Sequence, residues 1–342
     1  MGAACRLCAK GAARIMEQGL LQRLIAKPEL GPLILLVLLI AVFTSINPAF
    51  MSPLNISNAL SFTVELGLIA LAMTLLMTAG EFDLSVGSVF GFSAVLMWTL
   101  FNTGVMPMAA AFVIAILFAL FIGWANGMFV TKMQIPSFLV TLAMLLIVRG
   151  TALYTTQGFP QNTWTAEDQW VAKLLVGEFY IGSVRIYMSM FWFLLVALGC
   201  HYLLTQSRTG NWIQASGGNS NAARARGVPV NRVKIMLFML SSAMAAFAGI
   251  ISSIRTQAAN PNSGTGYELE VIAMVVIGGT VLTGGRGTII GTVLGIFILR
   301  FMRNGIVMIG VPGLAYNIFI GAIILCMMVL HNYIERRHQA GT

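Results

Sequence analysis

Long runs of apolar residues alternate with short polar stretches along the whole chain. Each run has about 20 residues, the length of a helix that crosses the hydrocarbon core of a bilayer. The pattern predicts ten such helices, over 31–47, 56–79, 83–101, 107–130, 135–155, 187–205, 233–255, 267–283, 286–302 and 313–331. No polar stretch is long enough to fold as a separate soluble domain, so we predict an all-α integral membrane protein.

The two ends of the chain differ from the apolar runs between them. Residues 1–28 combine basic residues with apolar positions at helical spacing, which predicts an amphipathic leader on the cytoplasmic surface. We place the membrane domain at 29–335 and a short cytoplasmic tail at 336–342. Within the membrane domain, residues 206–234 form the largest loop that we assign to the cytoplasm.

Charge gives this domain an orientation. The net charge is +9, and 14 of the 20 lysines and arginines face the cytoplasm if both termini lie there. Basic residues gather on that side of membrane proteins, so the count favours cytoplasmic termini and explains the charge without a nucleic-acid partner. Arg149 falls at the outer end of the fifth predicted helix, where its long side chain is expected to extend to the lipid headgroups.

The stretch GEFDLSVGS, which begins at Gly80, places two carboxylates between two apolar runs. Gly80 is expected to end one helix, and Asp83 or Ser85 to cap the next by accepting hydrogen bonds from its free backbone N–H groups. Broken helices in a membrane are tolerated where they are buried in protein or line a wet cavity. Two interpretations stay open: Asp83 is a cap alone, or Glu65, Glu81, Asp83 and Ser85 lie beside a transport path or its inner gate.

Two stretches, VGSVFG and RGTIIG, share small residues at the same spacing. They place Gly87 four residues before Gly91, and Gly287 four residues before Gly291. Glycines at this spacing let helix backbones approach closely, so we predict that these four residues serve helix packing. An internal duplication is the alternative, although the two predicted helices run in the same direction, which does not fit an inverted repeat.

The cytoplasmic loop 206–234 carries a second pattern. Asn219 is placed to cap a short helix through Ala222–Arg226, and Gly227 followed by Pro229 is placed to end it. A solvated basic loop is the simpler alternative. The residues that we single out here are Gly217, Gly218, Asn219, Ala222, Ala223, Arg224, Arg226 and Gly227.

Taken together, these motifs resemble a known family. GEFDLSVGSVFG resembles the GGIDLSVGS signature of the permease subunits of ribose/xylose-type bacterial ABC sugar importers. Three further stretches, at 133–150, 210–234 and 264–295, resemble family segments in the same order. Glu81 departs from the family, which usually has an uncharged residue there, so the local role of this stretch and the substrate stay open.

The resemblance implies a translocation subunit in the bacterial inner membrane. It implies that a cytoplasmic ABC ATPase docks on the short helix of the loop 206–234, which is then the coupling helix. It also implies a substrate-binding protein outside the membrane and a second permease subunit, expected to be an identical copy. The cargo expected from the resemblance is a small sugar or a sugar-like solute.

The chain carries no sign of its own catalytic chemistry. A phosphate-binding loop needs a lysine after a glycine, and no lysine in this chain follows one, so we expect ATP hydrolysis on a partner. The CxxC pair Cys5 and Cys8 lacks a second pair or a nearby histidine, so neither a metal nor another cofactor is expected. The alternative function is an ion-coupled secondary transporter that uses Glu65, Glu81 and Asp83 as ion sites.

Overall fold

The computed structural model describes most of the predicted membrane domain. The described residues are 29–162, 169–182, 184–312, 315–316, 318–319, 321–322 and 325. The predicted leader at 1–28 and the predicted tail at 336–342 lie outside the described residues. Most of the tenth predicted helix, over 313–331, lies outside them as well.

The described chain is mostly helical. Its helices are α1 Leu30–Ile46, α2 Pro53–Thr78, α3 Val86–Asn102, α4 Met108–Lys132, α5 Ser137–Thr156, α6 Trp170–Val176, α7 Met188–Gln206, α8 Arg208–Gly218, α9 Ser220–Ala225, α10 Val230–Thr256, α11 Tyr267–Ile277 and α12 Ile289–Met308. A 3₁₀ turn, Pro48–Met51, joins α1 to α2. Its strands are β1 Gln161–Asn162, β2 Glu178–Ile181, β3 Val184–Tyr187 and β4 Ala258–Ala259, paired antiparallel as β1 with β4 and β2 with β3.

The long apolar helices agree with most of the predicted spans. Helices α2, α4, α5, α7, α10 and α12 are long and apolar enough to cross a membrane, and α1 and α3 are shorter apolar helices. The eighth predicted helix, over 267–283, differs: α11 has 11 residues and a length of about 16 Å. Gly279, at φ +90°, lies in the turn that follows α11. The described residues therefore do not confirm ten spans.

Helix α2 is the centre of the bundle. It is buried along nearly its whole length and packs against α7, α10, α11 and α12, while α10 also packs on α3 and α4. The outer helices α4, α5 and α7 expose apolar side chains such as Phe121, Leu146 and Leu198. An apolar exterior of this kind suits the hydrocarbon core of a bilayer, where helices associate through close packing rather than through the hydrophobic effect.

Contacts between helix ends sort the bundle into two faces. At the face that carries the loop 206–234, which we call the loop end, the Gly285 N–H donates to the Thr78 carbonyl at 2.8 Å. At the opposite face, the strand end, β1 pairs with β4 and the Asn102 side chain donates to the Asn162 carbonyl at 3.0 Å. Helix α2 thus ends at one face and α3 at the other, as expected for consecutive spans.

The two predicted glycine pairs contact different partners. Gly87 and Gly91 of α3 face the non-helical segment before α11: a Cβ added at Gly91 would lie 2.6 Å from the Ser263 carbonyl oxygen. Gly291 of α12 faces the carbonyl of Gly278 at the end of α11. These three positions lie where two backbones meet, whereas the fourth, Gly287, precedes α12 and faces the Thr78 side chain.

The close approach of α10 to α3 gives a test of this packing. A Cβ added at Gly249 of α10 would lie 2.8 Å from the Phe90 carbonyl carbon. A Cβ added at Gly199 of α7 would have no atom of another segment within 4 Å. We expect Gly249→Ala to destabilise the protein by about 1–3 kcal/mol through overpacking, and Gly199→Ala to leave stability unchanged. Thermal unfolding in detergent measures both, and equal melting temperatures would contradict this account of the packing.

Candidate functional site

The predicted short helix in the loop 206–234 is present as α9. Its first N–H groups are capped by Asn219, whose Oδ1 accepts a hydrogen bond from the Ala222 N–H at 3.0 Å. Asparagine is among the strongest N-caps because its side chain replaces the missing backbone acceptor. The start of this helix is therefore encoded by local sequence.

The end of α9 is a glycine cap. Gly227 has φ +82°, in the left-handed region that favours glycine. Its N–H donates to the Arg224 carbonyl and the Val228 N–H donates to the Ala223 carbonyl, both at 3.0 Å. These two bonds make a Schellman motif, which fixes the direction in which the chain leaves the helix.

One of the residues predicted to contact the ATPase does not lie on the outward face of α9. Ala223 is buried against the protein, with 5% of its surface exposed, so it does not face a partner. Ala222, Arg224 and Arg226 are exposed, and Arg224 also donates to the Asn231 side chain at 3.0 Å. The exposed face is small and basic.

The sequence pattern placed Gly217 and Gly218 at the start of the short helix. In the structure they are instead the last residues of α8. A Cβ added at Gly217 would clash with the Thr78 carbonyl oxygen and lie 2.6 Å from the Gly285 nitrogen. The physical reason for glycine here is thus the contact with the end of α2, which leaves no room for a side chain.

Three backbone segments meet at this place. A Cβ added at Gly284 would lie 2.8 Å from the Cα atom of Gly80, so these two residues are in close contact as well. We call the cluster of Gly80, Gly217, Gly284 and Gly285 the glycine junction. It joins the end of α8, the end of α2 and the turn before α12 without side chains between them.

Asp83 lies next to this junction and does more than cap a helix. Its Oδ1 accepts hydrogen bonds from the Ser85 N–H at 2.9 Å and the Ser85 hydroxyl at 2.5 Å. The Ser85 Oγ accepts a further bond from the Asn126 side chain of α4 at 3.0 Å. Ser241 and Ser242 of α10 lie beside the same carboxylate.

The side chain of Asp83 lies in the connection between α2 and α3 and is fully buried. Through Ser85 the carboxylate is linked to Asn126 of α4, and it lies beside the serines of α10. It therefore anchors the start of α3 to α4 and α10.

Glu81 forms an ion pair that the sequence pattern did not indicate. Lys234 Nζ donates to Glu81 Oε1 at 2.5 Å, and both side chains are largely buried. Lys234 lies in the first part of α10, at the end of the stretch 206–234. The pair ties the connection between α2 and α3 to the helix that follows α9.

Glu65 does not lie with the other three predicted path residues. It pairs with Arg255 at the end of α10, whose Nε donates to Glu65 Oε1 at 3.0 Å. The guanidinium also stacks on Phe62, with its Cζ atom 4.2 Å from the ring centre. The structure thus brings Glu81, Asp83 and Ser85 together at the loop end and places Glu65 elsewhere.

Arg149 corrects a further expectation. Its guanidinium turns into the bundle and donates to backbone carbonyls rather than extending to the lipid headgroups.

The residues that sequence reasoning missed are Asn126, Lys234, Ser241 and Ser242. Each is polar within or beside an apolar run, which is the signal that could have marked it.

Comparisons with known proteins extend this picture. Residues 55–328 match the family described as branched-chain amino acid transport system / permease component. The ribose import permease protein RbsC of Escherichia coli K12 is 36% identical over 303 residues, which cover 88% of this chain and 92% of that protein. RbsC of Bacillus subtilis 168 is 35% identical over 317 residues, covering 93% and 94%. The L-arabinose ABC transporter permease protein AraH of Azospirillum brasilense is 32% identical over 309 residues, covering 90% and 88%.

The match includes nearly all of α2 and every later helix of the described chain. No solved structure matches the chain. The relatives are permeases, so the resemblance carried by the four motifs is confirmed. The chain belongs to the family of branched-chain amino acid transport system permease components.

Proposed function

We propose that this chain is the transmembrane permease subunit of an ATP-driven ABC importer for a small sugar. The observation that carries the proposal is the doubly capped helix α9, which is exposed at the loop end and comes shortly after Gly217 of the glycine junction. The ribose and L-arabinose permeases among the relatives support a sugar as the cargo. The name of the matched family makes a branched-chain amino acid the competing cargo.

The partners follow from the two faces of the bundle. A cytoplasmic ABC ATPase docks on the exposed face of α9, where Ala222 leaves room for close contact and Arg224 and Arg226 attract acidic groups. A substrate-binding protein delivers sugar at the strand end, and a second copy of the chain completes the path. Both termini lie in the cytoplasm of a bacterium, ten spans cross its inner membrane, and 1–28 and 336–342 are the leader and tail.

The glycine junction supplies a route for coupling. Backbone atoms of the loop, of α2 and of the turn before α12 are in direct contact there, so a displacement of α9 moves the end of α2. Asp83 and the pair of Glu81 with Lys234 connect the same region to α3, α4 and α10. ATP binding and hydrolysis then switch the paired subunits between outward-facing and inward-facing states.

The ion-coupled alternative is not supported. A free carboxylate in the membrane is the feature that such a transporter needs. Two of the three predicted ion sites, Glu65 and Glu81, are paired with Arg255 and Lys234. Asp83 has no basic partner among the described residues, and its Oδ2 accepts no hydrogen bond from them. The case against ion coupling is therefore carried by the relatives, which include a ribose import permease and an L-arabinose ABC transporter permease.

The energy source and the cargo are tested together in vesicles that contain the chain, its ATPase and its binding protein. We expect ATP-dependent uptake of ribose or L-arabinose that continues when ion gradients are collapsed. Uptake of leucine instead of a sugar would correct the cargo. Uptake that needs an ion gradient and no ATP would overturn the proposed function.

The docking face is tested with Ala222→Trp. A bulky ring on the exposed face should prevent close contact with the ATPase, because a misfit at a packed interface costs about 1–3 kcal/mol. The matched control, Ala222→Ser, keeps the face small and should behave like the wild type. The readouts are co-purification of the ATPase and its stimulation by the loaded binding protein. Normal values for Ala222→Trp would move the docking site away from α9.

The role of Asp83 is tested with Asp83→Asn. Asparagine still accepts from the Ser85 N–H, so we expect normal assembly. A hydrogen bond to a charged group contributes about 1.5–3 kcal/mol, against about 0.5–1.5 kcal/mol for a neutral one, so loss of the charge should lower uptake about tenfold. Glu178→Gln, at an exposed carboxylate, is the control. Unchanged uptake by Asp83→Asn would leave Asp83 with a capping role alone.

A further inference from the structure

The segment 260–266, between α10 and α11, lies deep in the bundle without forming a helix. Gly264 packs against the backbone of Gly87, in the first turn of α3, while the last residue of α3, Asn102, lies at the strand end. Gly91, one turn further into α3, faces the Ser263 carbonyl, and at 1.5 Å per residue it is about 16 Å from that end. The segment therefore reaches into the hydrocarbon layer, where every backbone carbonyl needs a partner.

Arg149 supplies those partners. Its Nη1 donates to the Pro261 carbonyl at 2.6 Å and to the Ser263 carbonyl at 2.8 Å. Its Nη2 donates to the Gly87 carbonyl at 3.0 Å. One guanidinium from α5 thus satisfies carbonyls of the segment and of α3, and it holds the segment against α3.

The segment presents polar side chains away from these contacts. Asn262 and Thr265 are exposed, although α4, α5 and α7 expose apolar residues at their outer surfaces. Polar side chains at this depth are unfavourable against lipid, whereas they are suited to a water-filled path. The exposed side of the segment is therefore suited to face the solute.

We propose that Arg149 is a positioning residue for transport: it holds the segment 260–266 so that Asn262 and Thr265 line the translocation path. This inference rests on the proposed function. It assigns Arg149 a role in which its side chain contacts the wall of the path and not the sugar. Sugar hydroxyls are the groups that an amide and a hydroxyl side chain at this wall recognise.

The shape of the guanidinium is what the position requires. A planar fork with several N–H groups reaches carbonyls of two different chain segments at once, whereas the ammonium of lysine is a compact point charge. Arg149→Lys therefore keeps the charge and loses the fork. Arg303→Lys is a matched control, because Arg303 is exposed on α12 and stacks on Tyr316 with its Cζ atom 5.0 Å from the ring centre.

The first experiment measures sugar delivered per ATP hydrolysed in vesicles with the ATPase and binding protein. For Arg149→Lys we expect a fall of about tenfold, as for the loss of one charge-assisted hydrogen bond, with binding-protein-stimulated hydrolysis retained. For Arg303→Lys we expect the wild-type ratio. A merely structural role would lower uptake and hydrolysis together and keep their ratio, which would overturn the inference.

The second experiment measures the path directly and does not depend on ATP. We expect the thiol of Thr265→Cys to react with a small hydrophilic thiol reagent above the wild-type background, with protection by added ribose or L-arabinose. The thiol of Leu146→Cys, on the exposed apolar face of α5, should not react. Equal labelling of the two variants would remove the segment from the path. Failure of the wild type to move sugar with ATP would contradict the proposed function instead.

Discussion

The hydrocarbon layer cannot hydrogen-bond to a backbone, and the rest of this structure depends on how the chain meets that constraint. Helices satisfy their own carbonyls and N–H groups, so the long apolar runs need little else. The chain departs from helix at 79–85 and at 257–266. At the first place Asp83 accepts from Ser85, and at the second Arg149 donates to three carbonyls. These two charged side chains, Asp83 and Arg149, thus stand where the backbone would otherwise lack partners.

In the proposed function, coupling and transport use the same two breaks in the helices. A continuous helix has few ways to rearrange, whereas a break between two helices allows them to move against each other. The break after α2 lies beside the glycine junction and the Glu81–Lys234 pair, close to α9. The break before α11 carries the exposed polar residues that we assign to the path. Under the proposed function, the positions of the two breaks connect the ATPase docking site at the loop end with the proposed solute path inside the bundle.

Local chemistry was predictable from the sequence, and contacts between distant segments were not. Asn219 caps the N–H of Ala222, three residues away, so the ends of α9 could be predicted from residue types. Glu81 and Lys234 are 153 positions apart, and no periodicity connects them. The predicted length of the eighth helix was wrong. Apolar residues continue past Ile277, but the glycines that follow turn the chain and end α11 there. Ala223 was expected to face a partner because the pattern gives a helix but not the side of it that packs on the protein.

The absence of side chains at the glycine junction has a consequence for the timing of coupling. Side chains at an interface change rotamer within picoseconds to nanoseconds, and such changes absorb small displacements. Backbone held directly on backbone has no rotamers, and closely packed atoms are nearly incompressible. A shift of the loop against Thr78 and Gly285 therefore has to appear as motion of whole helices, on the microsecond-to-millisecond scale of collective rearrangements. The glycine junction is therefore a rigid contact that does not absorb small displacements of the loop.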